Sequence, residues 1–221
     1  MGTMQILDES VWVQELLAVL SAEAQPEQVI LALCRLVHSK DPAILTHGQR
    51  TSRYAVALGK AVGLTGGDLV DLRYAGLFHD IGTLTLPPSV LYKVGPLTAD
   101  EYALVQSHPR AGAELLAALP LLRVPAIWIA HHHERWDGTG YPYGIRDVFI
   151  PLGARILAVA DTFDAITSPA AALGRQALDG ASACRLLGLL AGSQLDPELV
   201  EAFRHLLSVG LSHEQDTNAH G

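Results

Sequence analysis

Apolar residues recur at intervals of three and four along nearly the whole chain, and no stretch alternates apolar and polar positions with a period of two. That pattern marks amphipathic helices with one buried face. Breakers and caps divide it. A first helix is expected over about 9–22, and Pro26 opens a second over about 26–38. Asp41-Pro42 interrupts the chain, and a third helix carries His47 through about Val62. Gly63 and Gly66-Gly67 separate it from a fourth over about 67–79, which ends at His79-Asp80. Thr98-Ala-Asp-Glu101 has the form of a capping box, in which a hydroxyl and a carboxylate satisfy the first free amides of a helix. That helix stops near His108-Pro109, and two more are expected over 110–118 and 123–133. Residues 134–150, ERWDGTGYPYGIRDVFI, are rich in Gly and aromatics and lack a period, so they read as a long ordered loop. Pro151 starts a helix through Ala165, and Asp196-Pro197 suits the N-cap and first turn of a last helix to about 208.

Composition sharpens this picture. With 221 residues, 49% of them hydrophobic, the chain can bury one sizeable core. Aromatics are scarce, and Ala and Leu dominate the apolar set, which favours helix. The expected fold is all-α: a helical bundle over 41–211, a short N-terminal helical extension over 1–40, and a flexible polar tail over 212–221. A net charge of −8 argues against a nucleic-acid polymer or an anionic membrane as partner. It leaves room for a small anionic substrate, because bound metal cations reverse the local field. Cys34 and Cys184 each sit in a helical apolar pattern and read as reduced core residues. No leader-like segment precedes the first acidic residues, and no run of about 18 apolar residues occurs, so a cytoplasmic chain is expected.

The candidate chemistry lies in the order of the histidines and aspartates. His47 comes first, then the adjacent pair His79-Asp80 in FHDIG, His108 in SHPRAG, the run His131-His132-His133, and Asp161 in AVADTFDA. Imidazole and carboxylate suit first-row transition metals. An adjacent His-Asp pair lets one carboxylate reach between two ions while the imidazole holds one of them. A lone His-Asp dipeptide says little, and His132-His133 alone says little more. Together they say more, because each lies at the end or inner face of an expected helix, and helices of a bundle bring such groups together.

FHDIG, SHPRAGAELL, HHHERWDGTGYP and PLGARILAVADTFDAITS together resemble the HD-GYP family, a branch of the HD-domain metal-dependent phosphohydrolases. The resemblance covers about residues 41–178 and has no specific hold on 1–40. It implies an all-α fold and a metal site of iron or manganese. It implies a phosphodiesterase that opens cyclic di-GMP or a related cyclic dinucleotide with a metal-bridging hydroxide, His79 and Asp80 being central to catalysis. By motif position, His47, His79, Asp80 and Asp161 would hold one divalent ion. Asp80 would bridge to a second, held by His108, His132 and His133. His131 is surplus to this set. The loop from Asp137 through Gly140 and Tyr141 to Pro142 would border the substrate and offer a surface to a protein partner over 134–145. Tyr141 could either stack on a guanine or anchor the loop. A homodimer is compatible with all of this.

Departures from the family pattern bear on function. Thr83 stands where a phosphate-holding lysine is usual. The usual arginine-bearing run after the last aspartate is replaced by Pro169-Ala-Ala-Ala-Leu-Gly-Arg175, in which Arg175 is the one candidate cation. Ala43 takes the place of a glutamate found in members with three metals, which favours two. Thr83, Asp137, Gly140, Tyr141 and Arg175 are therefore the expected substrate-side residues, with a thinned charge complement. The rival readings are a weakly active or inactive signalling module acting through partners, and an HD phosphohydrolase for another nucleotide.

Overall fold

The computed structural model describes residues 25–168 and 176–218. The helix expected over 9–22 and the residue Arg175 lie outside them. Among the described residues the regular structure is helical, apart from one isolated bridge between Ala191 and Leu195. The chain divides into two compact units, Met1–Leu45 and Thr46–Gly221.

In the first unit, α1 (Pro26–Lys40) starts with a proline in its first turn, and Gln25 and Gln28 close a capping box over it. Its buried stripe is Val29, Leu33 and Val37, spaced by one helical turn. α2 (Pro42–Ala61) begins at the Asp41-Pro42 break, where the Asp41 carboxylate accepts from the Ala43 amide at 2.8 Å.

The second unit holds most of α2, then α3 (Gly66–Phe78), a 3-10 turn over Ile81–Thr85, α4 (Pro88–Leu91), α5 (Ala99–Val105), α6 (His108–Ala117) and α7 (Arg123–Ala130). A second 3-10 turn at Asp147–Phe149 leads into α8 (Leu152–Thr167), α9 (Gly180–Leu190) and α10 (Pro197–Asn218). α7 is central and packs against α3, α6 and α8. Leu72, Leu122, Ile129, Ile156 and Leu157 are completely buried there. Gly153 admits the Trp128 ring, since a Cβ at that position would lie 2.1 Å from it. Tyr54, Phe163 and Phe203 form an edge-to-face cluster that joins α2, α8 and α10, with centroids 5.0–6.2 Å apart. Asp196 caps α10 through the Glu198 amide and pairs with Arg155 of α8 at 2.5 Å.

Three boundaries differ from the sequence reading. α7 ends at Ala130, not near 133, because the ring N–H groups of His131 and His132 take the carbonyls of Ile127 and Ile129. α6 starts at His108, where Pro109 fits a first turn that needs no amide donor. The last helix continues to Asn218, since no proline stops it after Pro197. No helix among the described residues is long and apolar enough to cross a membrane.

Candidate metal centre

Close helix approach builds the site. A Cβ on Gly48 would lie 2.3 Å from the Leu77 carbonyl oxygen, and one on Gly76 would lie 2.6 Å from the Ser52 Cα. α2 and α3 therefore pack backbone to backbone, and His47 meets His79 just beyond the end of α3. A Cβ on Gly82 would lie 2.0 Å from the His108 carbonyl oxygen, so the 3-10 turn after Asp80 lies directly on the start of α6. The turn after α7 adds His132 and His133, and α8 adds Asp161.

The seven residues expected as ligands converge. His47 Nε2 lies 3.1 Å from His79 Nε2, 3.0 Å from Asp161 Oδ1 and 3.7 Å from Asp80 Oδ2. His79 Nε2 lies 3.4 Å from Asp80 Oδ2 and 3.6 Å from Asp161 Oδ1. The other Asp80 oxygen, Oδ1, lies 3.3 Å from His108 Nε2. Asp80 thus turns one oxygen to each half of the cluster. His108, His132 and His133 complete the second half, their ring centroids 4.0–5.4 Å apart. Two groups of potential metal ligands result and share Asp80: His47 and His79 on one side; His108, His132 and His133 on the other.

The donor atoms test whether cations fit. His79, His108 and His132 each donate Nδ1–H to a backbone carbonyl, those of Gly76, Val105 and Ile129, at 2.7–2.9 Å. This leaves Nε2 as the nitrogen that can take a cation or a proton, aimed into the cluster. The Nε2 atoms of His108 and His132 are buried and have no hydrogen-bond partner. Buried polar atoms are seldom left this way without a missing ion or water. Two imidazole nitrogens 3.1 Å apart also need a cation or a proton between them. The residues fit a pair of metal ions.

The two halves differ in charge. Burial works against a charged His47, but hydrogen bonds to Asp161 and Asp164 and the charge of Asp80 prevail and push its pKa up to about 10. The same contest, with Asp80 and Asp161 winning, raises His79. Burial also works against the charged forms of Asp80 and Asp161, but the facing histidines hold both below the usual carboxylate range. On the other side burial dominates: His133 is pushed down to about 4, and His132 lies well below its ordinary value. Without metal, the first half gathers charge, with His47 and His79 raised against the lowered Asp80 and Asp161, whereas burial keeps His132 and His133 neutral on the other side.

Two residues of this machinery stand out only in the structure. Asp164, almost fully buried, accepts from His47 Nδ1 at 2.6 Å and orients that ring. Arg50 grips Asp164 with Nε and Nη2 at 2.6 and 2.8 Å. The available signal is periodicity, since Asp164 follows Asp161 by three on α8 and Arg50 follows His47 by three on α2.

The substrate-side residues lie beside the cage in different ways. The Thr83 hydroxyl donates to the Asp80 carbonyl at 2.6 Å and is spent on its own turn. Asp137 accepts from Arg135 and from the amide and hydroxyl of Thr139. Gly140 packs where a Cβ would lie 2.3 Å from the Arg135 nitrogen, so it shapes the loop. Tyr141 places its ring 4.9 Å from that of His133, tilted by 32°, and burial raises its phenol pKa. Glu134, also buried, ties the loop by accepting from the Tyr143 amide at 2.7 Å, while its Oε2 has no partner. His131 stacks on Tyr143, outside the cluster. A cavity of about 210 Å³ lies against His133 and Asp161, walled by Arg135, Thr162 and Gln194.

Comparison with known proteins gives the family and the fold. The HD-domain family model matches residues 32–199. A cyclic di-GMP phosphodiesterase response regulator of Xanthomonas campestris is 36% identical over 86% of this chain and 50% of its own length. A cyclic di-GMP phosphodiesterase of Thermotoga maritima is 33% identical over 81% of this chain and 49% of its own. A 3'3'-cGAMP-specific phosphodiesterase of Vibrio cholerae is 34% identical over 63% of this chain and 27% of its own. The chain thus spans about half the length, or less, of these curated relatives. Among solved structures, an HD-GYP-type protein from Bdellovibrio bacteriovorus superposes with a TM-score of 0.60 at 18% identity, covering 94% of this chain and 75% of its own. The HD domain of a Listeria monocytogenes phosphodiesterase, in complex with cyclic di-AMP, superposes with a TM-score of 0.58 at 18% identity, covering 82% and 95%. These likenesses show the fold.

Proposed function

Because the chain belongs to the HD-domain family and is of its HD-GYP type, we propose that it is a metal-dependent phosphodiesterase acting on cyclic di-GMP or a related cyclic dinucleotide. The observation that carries this reading is the cage itself: Asp80 split between two groups of imidazoles, with the buried Nε2 atoms of His108 and His132 making no hydrogen bond in the protein. His47, His79, Asp80 and Asp161 would hold one divalent ion; Asp80, His108, His132 and His133 would hold the other. Iron or manganese suits this set of imidazoles and carboxylates. Such a pair supplies a hydrolytic nucleophile at neutral pH and a Lewis acid for phosphate oxygens.

The protein's own groups do the rest. Nδ1–H bonds to carbonyls fix the ring orientation of His79, His108 and His132, while Asp164 and Arg50 fix His47. The cavity against His133 and Asp161 takes the scissile phosphate region, and Arg135 is the cation on its wall. Tyr141 lies over His133 and limits access of bulk water. The commitment of the Thr83 hydroxyl to Asp80 means that phosphate is held mainly by the metal side of the site.

The test is anaerobic loading with iron or manganese, metal analysis, and product analysis with cyclic di-GMP, cyclic GMP-AMP and linear dinucleotides. Two ions per chain and a linear product are expected. A fully loaded protein that leaves every cyclic dinucleotide intact would overturn the proposal. A second reading, a module that acts through a protein partner with little turnover, is favoured by the exposed Tyr143 and Phe149 at the loop. It predicts metal binding without hydrolysis.

A further inference from the structure

A second cavity, of about 370 Å³, lies away from the metal ligands between α2 and α3. It is lined by Ser52, Arg53, Val56, Ala57 and Lys60 of α2 and by Arg73 of α3. The α2 residues 53, 56, 57 and 60 form one face at helical spacing. Opposite them, α3 is pinned in place, because the Ser52 hydroxyl donates to the Arg73 carbonyl at 2.9 Å and Gly76 packs on the Ser52 backbone. Arg53, Lys60 and Arg73 are therefore presented from a rigid two-helix frame.

What sets them apart is their convergence on one groove, since Arg35, Lys40, Arg123, Arg146 and Arg185 also form no ion pair with a described residue. Arg50, Lys93, Arg110, Arg135, Arg155 and Arg204 each pair with a carboxylate. Arg53, Lys60 and Arg73 form no ion pair with any described residue, although acidic residues outnumber basic ones by 23 to 15 in the chain. Three like charges around one groove repel each other, and an anion between them relieves that repulsion. The floor is aliphatic, from Val56 and Ala57, with no aromatic ring or side-chain carboxylate to read a base. The groove thus selects for charge.

We propose that this groove is a binding site for a small polyanion carrying at least two phosphate-like groups, separate from the metal centre. Guanidinium forks from Arg53 and Arg73 hold one group, and the Lys60 ammonium holds the other. The cations are exposed, so binding weakens with salt.

Inorganic pyrophosphate is the probe, titrated calorimetrically into the whole protein at low ionic strength. Saturable binding is expected. It should fall at least about tenfold, or about 1.4 kcal/mol, when Arg53, Lys60 and Arg73 are all changed to Gln, and it should persist in Asp80→Asn. If the triple variant melts early, Lys60→Gln alone must still weaken binding, because Lys60 is exposed and forms no ion pair with a described residue. Absence of saturable binding, equal binding by the triple variant, or loss confined to Asp80→Asn each overturns the proposal. So does binding of a glutamate-rich peptide with none of pyrophosphate, which assigns the groove to a protein partner.

Discussion

The metal cage and the loop at 134–145 lie side by side yet differ in where their polar atoms find partners. In the cage, His47, His79, His108 and His132 spend Nδ1 on the backbone or on Asp164 and turn Nε2 toward other ligand atoms, and the buried Nε2 atoms of His108 and His132 have no hydrogen-bond partner. In the loop, the polar groups mostly satisfy one another: Asp137 with Arg135 and Thr139, and Glu134 with the Tyr143 amide. Apart from Glu134 Oε2, folding satisfies these loop groups by itself. The cage is complete only when a cation joins it. Buried, unsatisfied and convergent atoms mark the reactive place, and satisfied ones mark the scaffold.

The widest separation between the two regions should appear on removing Asp80. Asp80→Ala is expected to lose both ions and all detectable hydrolysis, because its two oxygens serve both halves. His47→Ala should lose mainly one. Elemental analysis of each variant checks this, and retention of two tightly held ions by Asp80→Ala would refute the shared ligand.

A smaller effect is expected one layer out. Asp164→Asn keeps the shape but removes the charge that orients His47 and neutralises Arg50. Metal affinity should drop by about 10–100-fold, the usual cost of losing such a partner, with KM for substrate little changed. A metal titration against a competing chelator reads it.

The metal-free cage also predicts a pH dependence. His47 is pushed up to about 10, so at neutral pH it carries a proton that a metal must expel. Affinity should therefore rise with pH, by about tenfold per unit for each proton released. Calorimetry in buffers of different ionisation enthalpy counts the protons, and a count of zero contradicts the charge state given to His47.

The rim gives the next effect. Thr83→Lys exchanges a hydroxyl bound to the Asp80 carbonyl for a charge near the substrate phosphate. One charge-assisted contact of about 1.5 kcal/mol corresponds to roughly tenfold in kcat/KM. An unchanged rate with metals intact would show that the rim is adapted to another ligand.

The smallest effect separates scaffold from surface within the loop. Gly140→Ala forces a Cβ against the Arg135 backbone and should lower the melting temperature. Tyr143, 53% exposed, should be replaceable by Ala with no change in metal content and little in stability. If Tyr143→Ala destabilises as much as Gly140→Ala, the loop has no free face and the partner-binding reading loses its support.

Much of this molecule is legible from residue order because the relevant physics is local. The period of the apolar residues determines helices, the Thr98–Glu101 box and Asp196-Pro197 determine where two of them start, and lack of period determines the loop. The motif spacing singles out His47, His79, Asp80, His108, His132, His133 and Asp161, and the fold brings these together. Other features depend on how helices approach, which no spacing encodes. Gly48 and Gly76 permit the contact that sets His47 against His79. Asp164 and Arg50 matter because α8 happens to face α2 there. Thr83, read along the chain as a substrate contact, turns back because a 3-10 turn offers its hydroxyl a carbonyl at 2.6 Å. Which nitrogen of each histidine is free, and which cations are left unpaired, follow from the same tertiary placement. The candidate ligands are written in the chain, whereas their orientation and charge state arise only when distant helices exclude water and choose each group's partner.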